Sequence, residues 1–352
     1  MNDINSSNIG SFERMISEAE RIAIVTHMKP DGDAMGSSLA LYHYLGSIGK
    51  SSKIILNDTY PPYLSFITDK SGKEDIIIYE EHPAATEAAI KGSSLIICLD
   101  FNAFHRTDRL EKALTEATGN KILIDHHLNP SRELFDLSFS EIQVSSASEL
   151  LYHILVRTSV ISEDAAKLGE DCREALMTGM TTDTNNFANS VFPSTLHMAS
   201  ALLGAGTDRD FILNRIYNQY GENRLRLLGH MMKDLLTITD DGVAYIVLDR
   251  KTQEQYRINE GDTEGFVNMP LTIADVRMSI LAKEDCGKTR ISIRSKRGTS
   301  ANMCARRFFN GGGHENAAGG RLNIPEDVKG IEEVGTYIET VTHTFFNEDE
   351  DK

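Results

Sequence analysis

RIAIVTHMKPDGD, residues 21–33, decides how this sequence is read as a fold. Its first half, Arg21–His27, is a short apolar run of the kind that forms a strand buried on both faces. Its second half turns: Pro30 and Gly32 shape a bend that carries Asp31 and Asp33. Three further runs resemble the first, namely Lys53–Leu56 (KIIL), Leu95–Asp100 (LIICLD) and Lys121–Asp125 (KILID). Between them lie helical patterns such as Ser38–Ile48, whose Leu41, Leu45 and Ile48 share one face. Strands alternating with helices imply an α/β class with a doubly wound parallel sheet, and the pattern is expected to continue to about residue 190.

Residues 194–236 read as helices without intervening strands, from STLHMASALLGAG to RLRLLGHMMKDLL. After 243 the runs VAYIVLD, MSILAKE and TRISIRS read as strands of a second sheet, followed by a glycine-rich turn. A chain of 352 residues exceeds what one hydrophobic core supports. The expected organisation is a catalytic domain over 1–194, a helical connector over 195–235, and a smaller α/β domain with a mixed sheet over 236–352. The tail NEDEDK is expected to be a disordered acidic end.

Composition narrows the function. With 36 Lys+Arg against 52 Asp+Glu the net charge is −16, which argues against a processive grip on long nucleic acid. Residues 287–307 are the exception, with seven Lys/Arg and no Asp/Glu, and suit a small anionic ligand as well as a solvated strand. No apolar run nears the ~20 residues that span a bilayer, so no membrane association is expected. The N-terminus lacks the basic and apolar regions of a signal peptide. Cys98, Cys172, Cys286 and Cys304 have no metal-ligand spacing and read as thiols in a reducing cytoplasm.

Three of the apolar runs end in metal-ligand side chains: the first on His27, before Asp31 and Asp33; the second on Asp100; the third on Asp125, His126 and His127. A fourth segment, TGMTTDTNNF, offers Asp183. In open α/β sheets the functional crevice lies beyond the carboxyl ends of the strands, so these residues converge. Singly each has a plain structural reading, as turn, helix cap or structural histidine. Jointly those readings would require unrelated caps and turns to meet at one sheet edge. Five carboxylates and several imidazoles without a thiolate suit Mn²⁺, Mg²⁺ or Co²⁺, and exceed the needs of one ion. Two ions roughly 3.5–4 Å apart could share a carboxylate, activate water and clamp a phosphoryl oxygen. Gly36-Ser37-Ser38 is read as opening the first helix, with Ser37 as its N-cap in preference to an anion site.

A second cluster is Asn310–Gly320, NGGGHENAAGG, where three glycines precede His314. Missing side chains allow a close backbone approach, either within a tight hairpin or around a ligand. With the basic strand Arg290–Arg297 just upstream, a phosphate- or base-binding pocket is the favoured reading.

These residues resemble the DHH phosphoesterase superfamily. His27, Asp31 and Asp33, then Asp100, then Asp125-His126-His127, then Asp183 match its N-terminal motifs in order, and GGGHENAAGG is similar to the signature of the DHH-associated C-terminal domain. The resemblance implies two divalent cations, Mn²⁺ first, one held by His27, Asp31 and Asp100 and the other by Asp33, Asp100, His126 and Asp183, with Asp100 bridging. It assigns catalytic roles to Asp100, Asp125, His126 and His127, with His127 facing the phosphoryl group and Asp125 supporting the network. It makes Arg294, Ser295, Gly311, Gly312, Gly313 and His314 the substrate-binding residues, across an interdomain cleft. Length and ending place the chain nearest the branch of nanoRNases and 3′-phosphoadenosine 5′-phosphate (pAp) phosphatases. Short oligonucleotides and nucleotide 3′,5′-bisphosphates are then the expected substrates, and a homodimer is one assembly the resemblance allows. An exopolyphosphatase-like phosphomonoesterase, a cyclic-dinucleotide or pGpG phosphodiesterase, and a non-catalytic nucleotide-binding regulator are the alternatives. Asn185 stands where many relatives are expected to carry glycine.

Overall fold

The computed structural model describes residues 3–350, other than Lys73, Tyr220 and Glu260. Two compact units make up the chain, Met1–Gln219 and Tyr220–Lys352.

The first unit is built on six parallel strands: β1 (Ile22–Thr26), β2 (Ser52–Leu56), β3 (Ile76–Ile78), β4 (Leu95–Leu99), β5 (Asn120–Asp125) and β6 (Leu137–Ser140). Their order is β3-β2-β1-β4-β5-β6, so the direction of winding reverses between β1 and β4. Every residue of β1 and of β4 is buried, and the alternate side chains feed two cores. Ile22, Ile24, Leu95, Ile97, Leu99, Ile122 and Ile124 join the larger one. Ala23, Val25, Ile96, Cys98 and Leu123 join the one on the opposite face. A sheet covered on both sides needs continuous apolar strands, and this is why these runs were legible. The α/β doubly wound reading holds, but the alternation ends at β6. The next elements are the helices Ala147–Leu155, Glu170–Asp183, Pro193–Gly204 and Arg209–Tyr217.

The reading of Gly36-Ser37-Ser38 as a helix start is corrected. The helix runs over Gly32–Ser47, and its N-cap is Asp31, whose Oδ1 accepts the amides of Asp33 and Ala34, both at 3.0 Å. Ser37 lies a turn inside, its hydroxyl donating to the Asp33 carbonyl at 2.7 Å. Gly36 serves packing: a Cβ there would stand 2.7 Å from the Ala175 carbonyl oxygen and 2.8 Å from Gly179 Cα in the helix Glu170–Asp183. Two glycines face each other, so two backbones approach closely.

The second unit is a mixed sheet of β7 (Leu236–Ile238), β8 (Val243–Leu248), β9 (Met278–Asp285), β10 (Lys288–Ser295), β11 (Gly312–Gly313) and β12 (Ala317–Asn323), ordered β11-β12-β10-β9-β8-β7. β8 and β9 run parallel, and the other neighbours antiparallel. The stretch 195–235 read as a connector divides between the units: Pro193–Gly204 and Arg209–Tyr217 lie in the first, Glu222–His230 in the second. The C-terminal helix runs over Val334–Glu350, so most of the NEDEDK tail is helical, while its last two residues lie outside the described residues. Among the described residues no helix is long and apolar enough to cross a membrane.

Candidate metal centre

The strand ends place the side chains. His27 follows β1 directly, Asp100 follows β4, and Asp125 closes β5 with His126 and His127 after it. β1 and β4 flank the switch point of the winding, where an open α/β sheet leaves its crevice. Asp100 adopts a left-handed backbone, φ +63°, an uncommon state for a non-glycine residue and one that Asp tolerates better than most. Asp31 arrives as the N-cap of the helix Gly32–Ser47 and Asp33 on its first turn. Asp183 is the last residue of its helix, where the dipole disfavours a carboxylate.

Three groups of potential ligand atoms result, each with its donors within 4.8 Å of one another: His27, Asp31 and Asp100; Asp33, His126 and Asp183; Asp100, His126 and His127. His27 Nε2 lies 3.5 Å from Asp100 Oδ2 and 3.9 Å from Asp31 Oδ1. His126 Nε2 lies 3.3 Å from Asp100 Oδ1, 3.6 Å from Asp183 Oδ2 and 4.0 Å from Asp33 Oδ2. Asp100 therefore turns one oxygen to each imidazole. The side chains of Asp33 and Asp100 are 2% and 4% exposed, against 61% for Asp31 and 32% for Asp183, so the centre opens to solvent along the latter pair.

Neighbours fix the ligand orientations. His27 Nδ1 sits 2.8 Å from the Met28 carbonyl oxygen, which directs Nε2 at the carboxylates. His127 Nδ1 is 2.7 Å from Oδ1 of the fully buried Asp125, whose Oδ2 accepts the His127 amide at 3.2 Å. Asp125 thus stands behind the centre and holds the His127 ring. Asp33 is gripped from another helix: Oδ2 accepts the Ala147 amide at 2.6 Å, and Oδ1 the Ser148 amide at 2.9 Å. Nothing local in the sequence announced that contact. Gly179 makes room for it, since a Cβ there would meet Asp33 Oδ1 at 2.8 Å.

Packing these groups together shifts their protonation. Burial and the Asp100 charge raise Asp33 to about 7. Burial likewise raises Asp183, and the Asp33 and Asp100 charges add to it. Burial would lower His27, but its bond to Asp100 and the Asp31 and Asp100 charges overcome this and raise it to about 9. His126 is raised against burial by Asp100 and Asp183, and Asp100 is held low against burial by the two imidazoles. A cluster of buried carboxylates that takes up protons to offset its own repulsion is one that a divalent cation would relieve. The all-oxygen-and-nitrogen donor set fits such an ion.

A model of the DHH family, N-terminal domain, matches residues 21–180, and a model of the DHHA1 domain matches 240–336. The chain belongs to the DHH family. The solved structure of an exopolyphosphatase-related protein from Bacteroides fragilis superimposes with a TM-score of 0.90 at 35% identity, over 98% of either chain. The bifunctional oligoribonuclease and PAP phosphatase NrnA of Bacillus subtilis is 26% identical over 88% of this DHH chain and 91% of its own length. Its Thermus thermophilus counterpart is 27% identical over 86% of this chain and 84% of its own. Within this DHH chain Asn185 has φ +46°, and Asn is among the non-glycine residues that best tolerate that conformation, which accounts for its standing where glycine was expected.

The expected substrate residues lie in the second unit. Along β10 burial alternates, so Thr289, Ile291, Ile293 and Ser295 face the core while Lys288, Arg290, Ser292 and Arg294 face away from it. Ser295 therefore points opposite to Arg294, and its hydroxyl donates to the Thr299 carbonyl at 2.6 Å and accepts from Asn316 Nδ2 at 3.0 Å. Gly312 and Gly313 pair with Gly319 and Ala318 in a hairpin, closed by the His314 amide on the Ala317 carbonyl at 2.8 Å. Gly311 and Gly313 are confined by β12: a Cβ on Gly311 would run into the Gly319 carbonyl, and one on Gly313 would lie 2.6 Å from that of Ala317. Gly312 is the more open of the three, with Arg306 Nε 3.6 Å from where its Cβ would be. Ala317-Ala318-Gly319, read as part of a turn, belong to β12.

Proposed function

We propose that the chain is a divalent-metal-dependent phosphohydrolase of very short oligonucleotides and of pAp-type nucleotides. One observation carries the reading: Asp100 lies at the switch point of the sheet and offers its two oxygens to two different ligand groups. His27, Asp31 and Asp100 would hold one ion, and Asp33, Asp100, His126 and Asp183 the other; carboxylate and imidazole donors suit Mn²⁺, Mg²⁺ or Co²⁺, and the family resemblance puts Mn²⁺ first. Two such ions, when bound, supply a water activated at neutral pH and neutralise charge on a phosphoryl oxygen. Asp125 orients His127, leaving its Nε2 to meet a phosphoryl oxygen. Arg294, Ser295 and the Gly311–His314 hairpin hold the nucleotide's distal part, Arg294 by charge and Ser295 by shaping the turn before Asn316. Three buried thiols and one exposed thiol, all free, agree with a reducing cytoplasm.

The relatives named as oligoribonuclease and PAP phosphatase support this choice of substrate. The exopolyphosphatase-related neighbour supports a second reading, removal of terminal phosphate from polyphosphate. Purified protein supplied with Mn²⁺ should be assayed on dinucleotides, pAp, pyrophosphate and polyphosphate. Turnover of dinucleotides and pAp is expected to dominate. Turnover of polyphosphate alone would establish the second reading, and no turnover of any would sink both.

A further inference from the structure

Asp33 reaches the metal centre only as far as the helix Ala147–Leu155 lets it. Its two oxygens are each bonded to a first-turn amide of that helix, Ala147 at 2.6 Å and Ser148 at 2.9 Å. First-turn amides have no partner inside their own helix and point along its axis, so they aim an anion as sharply as the helix itself is held. Where this helix begins therefore sets where Asp33 stands.

Glu149 sets that beginning. The sequence Ser146-Ala147-Ser148-Glu149 ahead of an apolar run has the form of a capping box, and the Ser146 hydroxyl accepts the Glu149 amide at 3.0 Å. The carboxylate, however, reaches past the N-cap. Its Oε2 accepts the Ser145 amide at 2.8 Å, the Ser145 hydroxyl at 2.6 Å and the Thr195 hydroxyl at 2.6 Å. Thr195 belongs to the helix Pro193–Gly204, which follows the segment leaving Asp183. One carboxylate thus pins the helix that grips Asp33 to the helix downstream of Asp183. It is fully buried, and among the described residues its Oε1 has no hydrogen-bond partner, with His153 Nε2 3.6 Å away. A buried charge is costly to keep for capping alone, since a neutral side chain caps nearly as well.

We propose that Glu149 is a positioning residue for the metal centre, fixing through the Ala147 and Ser148 amides the carboxylate of Asp33. The proposal rests on the reading of Asp33 as a metal ligand. Against its burial, the neighbouring His153 first and then the Ser145, Ser194 and Thr195 hydrogen bonds hold Glu149 down to about 2, so it remains charged over the working range.

Titration with Mn²⁺ alone, by calorimetry and by the electron paramagnetic resonance of free Mn²⁺, tests it on the full chain. Glu149→Gln should bind Mn²⁺ about tenfold more weakly at the site that includes Asp33, in the range seen for partners behind metal ligands, and leave the other site unchanged. In an Asp33→Asn background the same substitution should cause no further loss, because its route to the metal has gone. A merely structural residue would lower the melting temperature in both backgrounds and spare the affinity. Folded Glu149→Gln with wild-type Mn²⁺ affinity, or an equal loss in the Asp33→Asn background, would overturn the proposal while leaving the metal centre intact. Wild-type protein that binds no Mn²⁺ would overturn both. If Glu149→Gln does not fold, Thr195→Val keeps the carboxylate and deletes one donor. A loss of a few-fold at the same site supports the proposal, and unchanged affinity overturns it.

Discussion

His126 Nε2 stands 3.3 Å from Asp100 Oδ1, the oxygen that Asp100 does not turn towards His27. A carboxylate so divided is suited to bridging, because each oxygen already faces a separate set of donors. Asp100→Ala should therefore cost both ions together: Mn²⁺ stoichiometry should drop from two towards none, and hydrolysis should fall by more than about 100-fold. Circular dichroism would confirm that the variant is folded. Wild-type-like turnover by folded Asp100→Ala would refute the bridging role.

Asp125 should behave differently, since it touches the His127 ring and not the centre's interior. Asp125→Ala is expected to lower kcat by roughly 10- to 100-fold, the usual cost of losing a partner behind a working imidazole, with Mn²⁺ stoichiometry unchanged. A drop in stoichiometry would mean that Asp125 is itself a ligand.

What the sequence disclosed follows from burial. β1, β4 and β5 are central and covered on both faces, so their apolar runs are unbroken and each leads into residues of the candidate centre. β3 has three residues and β6 only one fully buried side chain, Phe139, too little signal to mark an edge strand. β12 carries Gly319 and Gly320 and so reads as a turn, whereas Gly320 lets Phe309 approach it, and Gly311 and Gly313 let the β11 segment pair with it. Gly32 reads as a bend residue and Gly36 as a helix opener, but they are also the contact points with Thr182 and Gly179. Each candidate ligand stood in a local pattern: His27, Asp100 and His126 beside strand ends, Asp31 and Asp33 in a bend, and Asp183 in TGMTTDTNNF. The grip on Asp33 by Ala147 and Ser148 was not legible, because it joins residues more than a hundred positions apart.

Protonation gives a third prediction. Asp33 is raised to about 7 and His27 to about 9 without metal, so at neutral pH His27 carries a proton and Asp33 does about half the time, and a metal must displace them. Mn²⁺ affinity should rise from pH 6 to pH 9, and calorimetry in buffers of different ionisation enthalpy should register proton release at pH 7. The sign for stability runs the other way without metal. Both groups bind protons more tightly folded than unfolded, so chelator-treated protein should lose stability as pH rises, first through Asp33 and then, between about 6.5 and 9, through His27. A melting temperature of chelated protein that climbs over this window would contradict the assignment.

Gly179 offers a test of space. An added methyl would press on Asp33 Oδ1 at 2.8 Å and collide with the Ser148 hydroxyl. Gly179→Ala should destabilise by about 1–3 kcal/mol, as overpacking does, and should weaken Mn²⁺ binding at the site containing Asp33. Thermal melts with and without Mn²⁺ separate the two effects. Unchanged stability would show that Asp33 has room the packing does not suggest.

Substrate choice can be read from charge. The chain carries a net −16, and Arg290 and Arg294 stand four residues apart on the face of β10 turned from its core. A few cations on an acidic protein favour ligands with few phosphates, because each further phosphate gains no cationic partner and meets repulsion. Rates should fall once an oligonucleotide exceeds about five residues, an order-of-magnitude figure from that balance. Arg294→Ala and His314→Ala should raise KM for a dinucleotide about tenfold or more, the worth of one hydrogen bond to a charged group. They should leave bis-p-nitrophenyl phosphate nearly untouched, since that diester needs only the metal centre while a nucleotide also draws binding energy from a distal contact. Ser295→Ala should act through the turn it ties to Thr299 and Asn316, and so cost stability as well as KM. Comparing kcat/KM for both substrates in each variant decides the matter. Equal losses on dinucleotide and diester would show that β10 and the glycine hairpin serve folding, and that the nucleotide is recognised elsewhere.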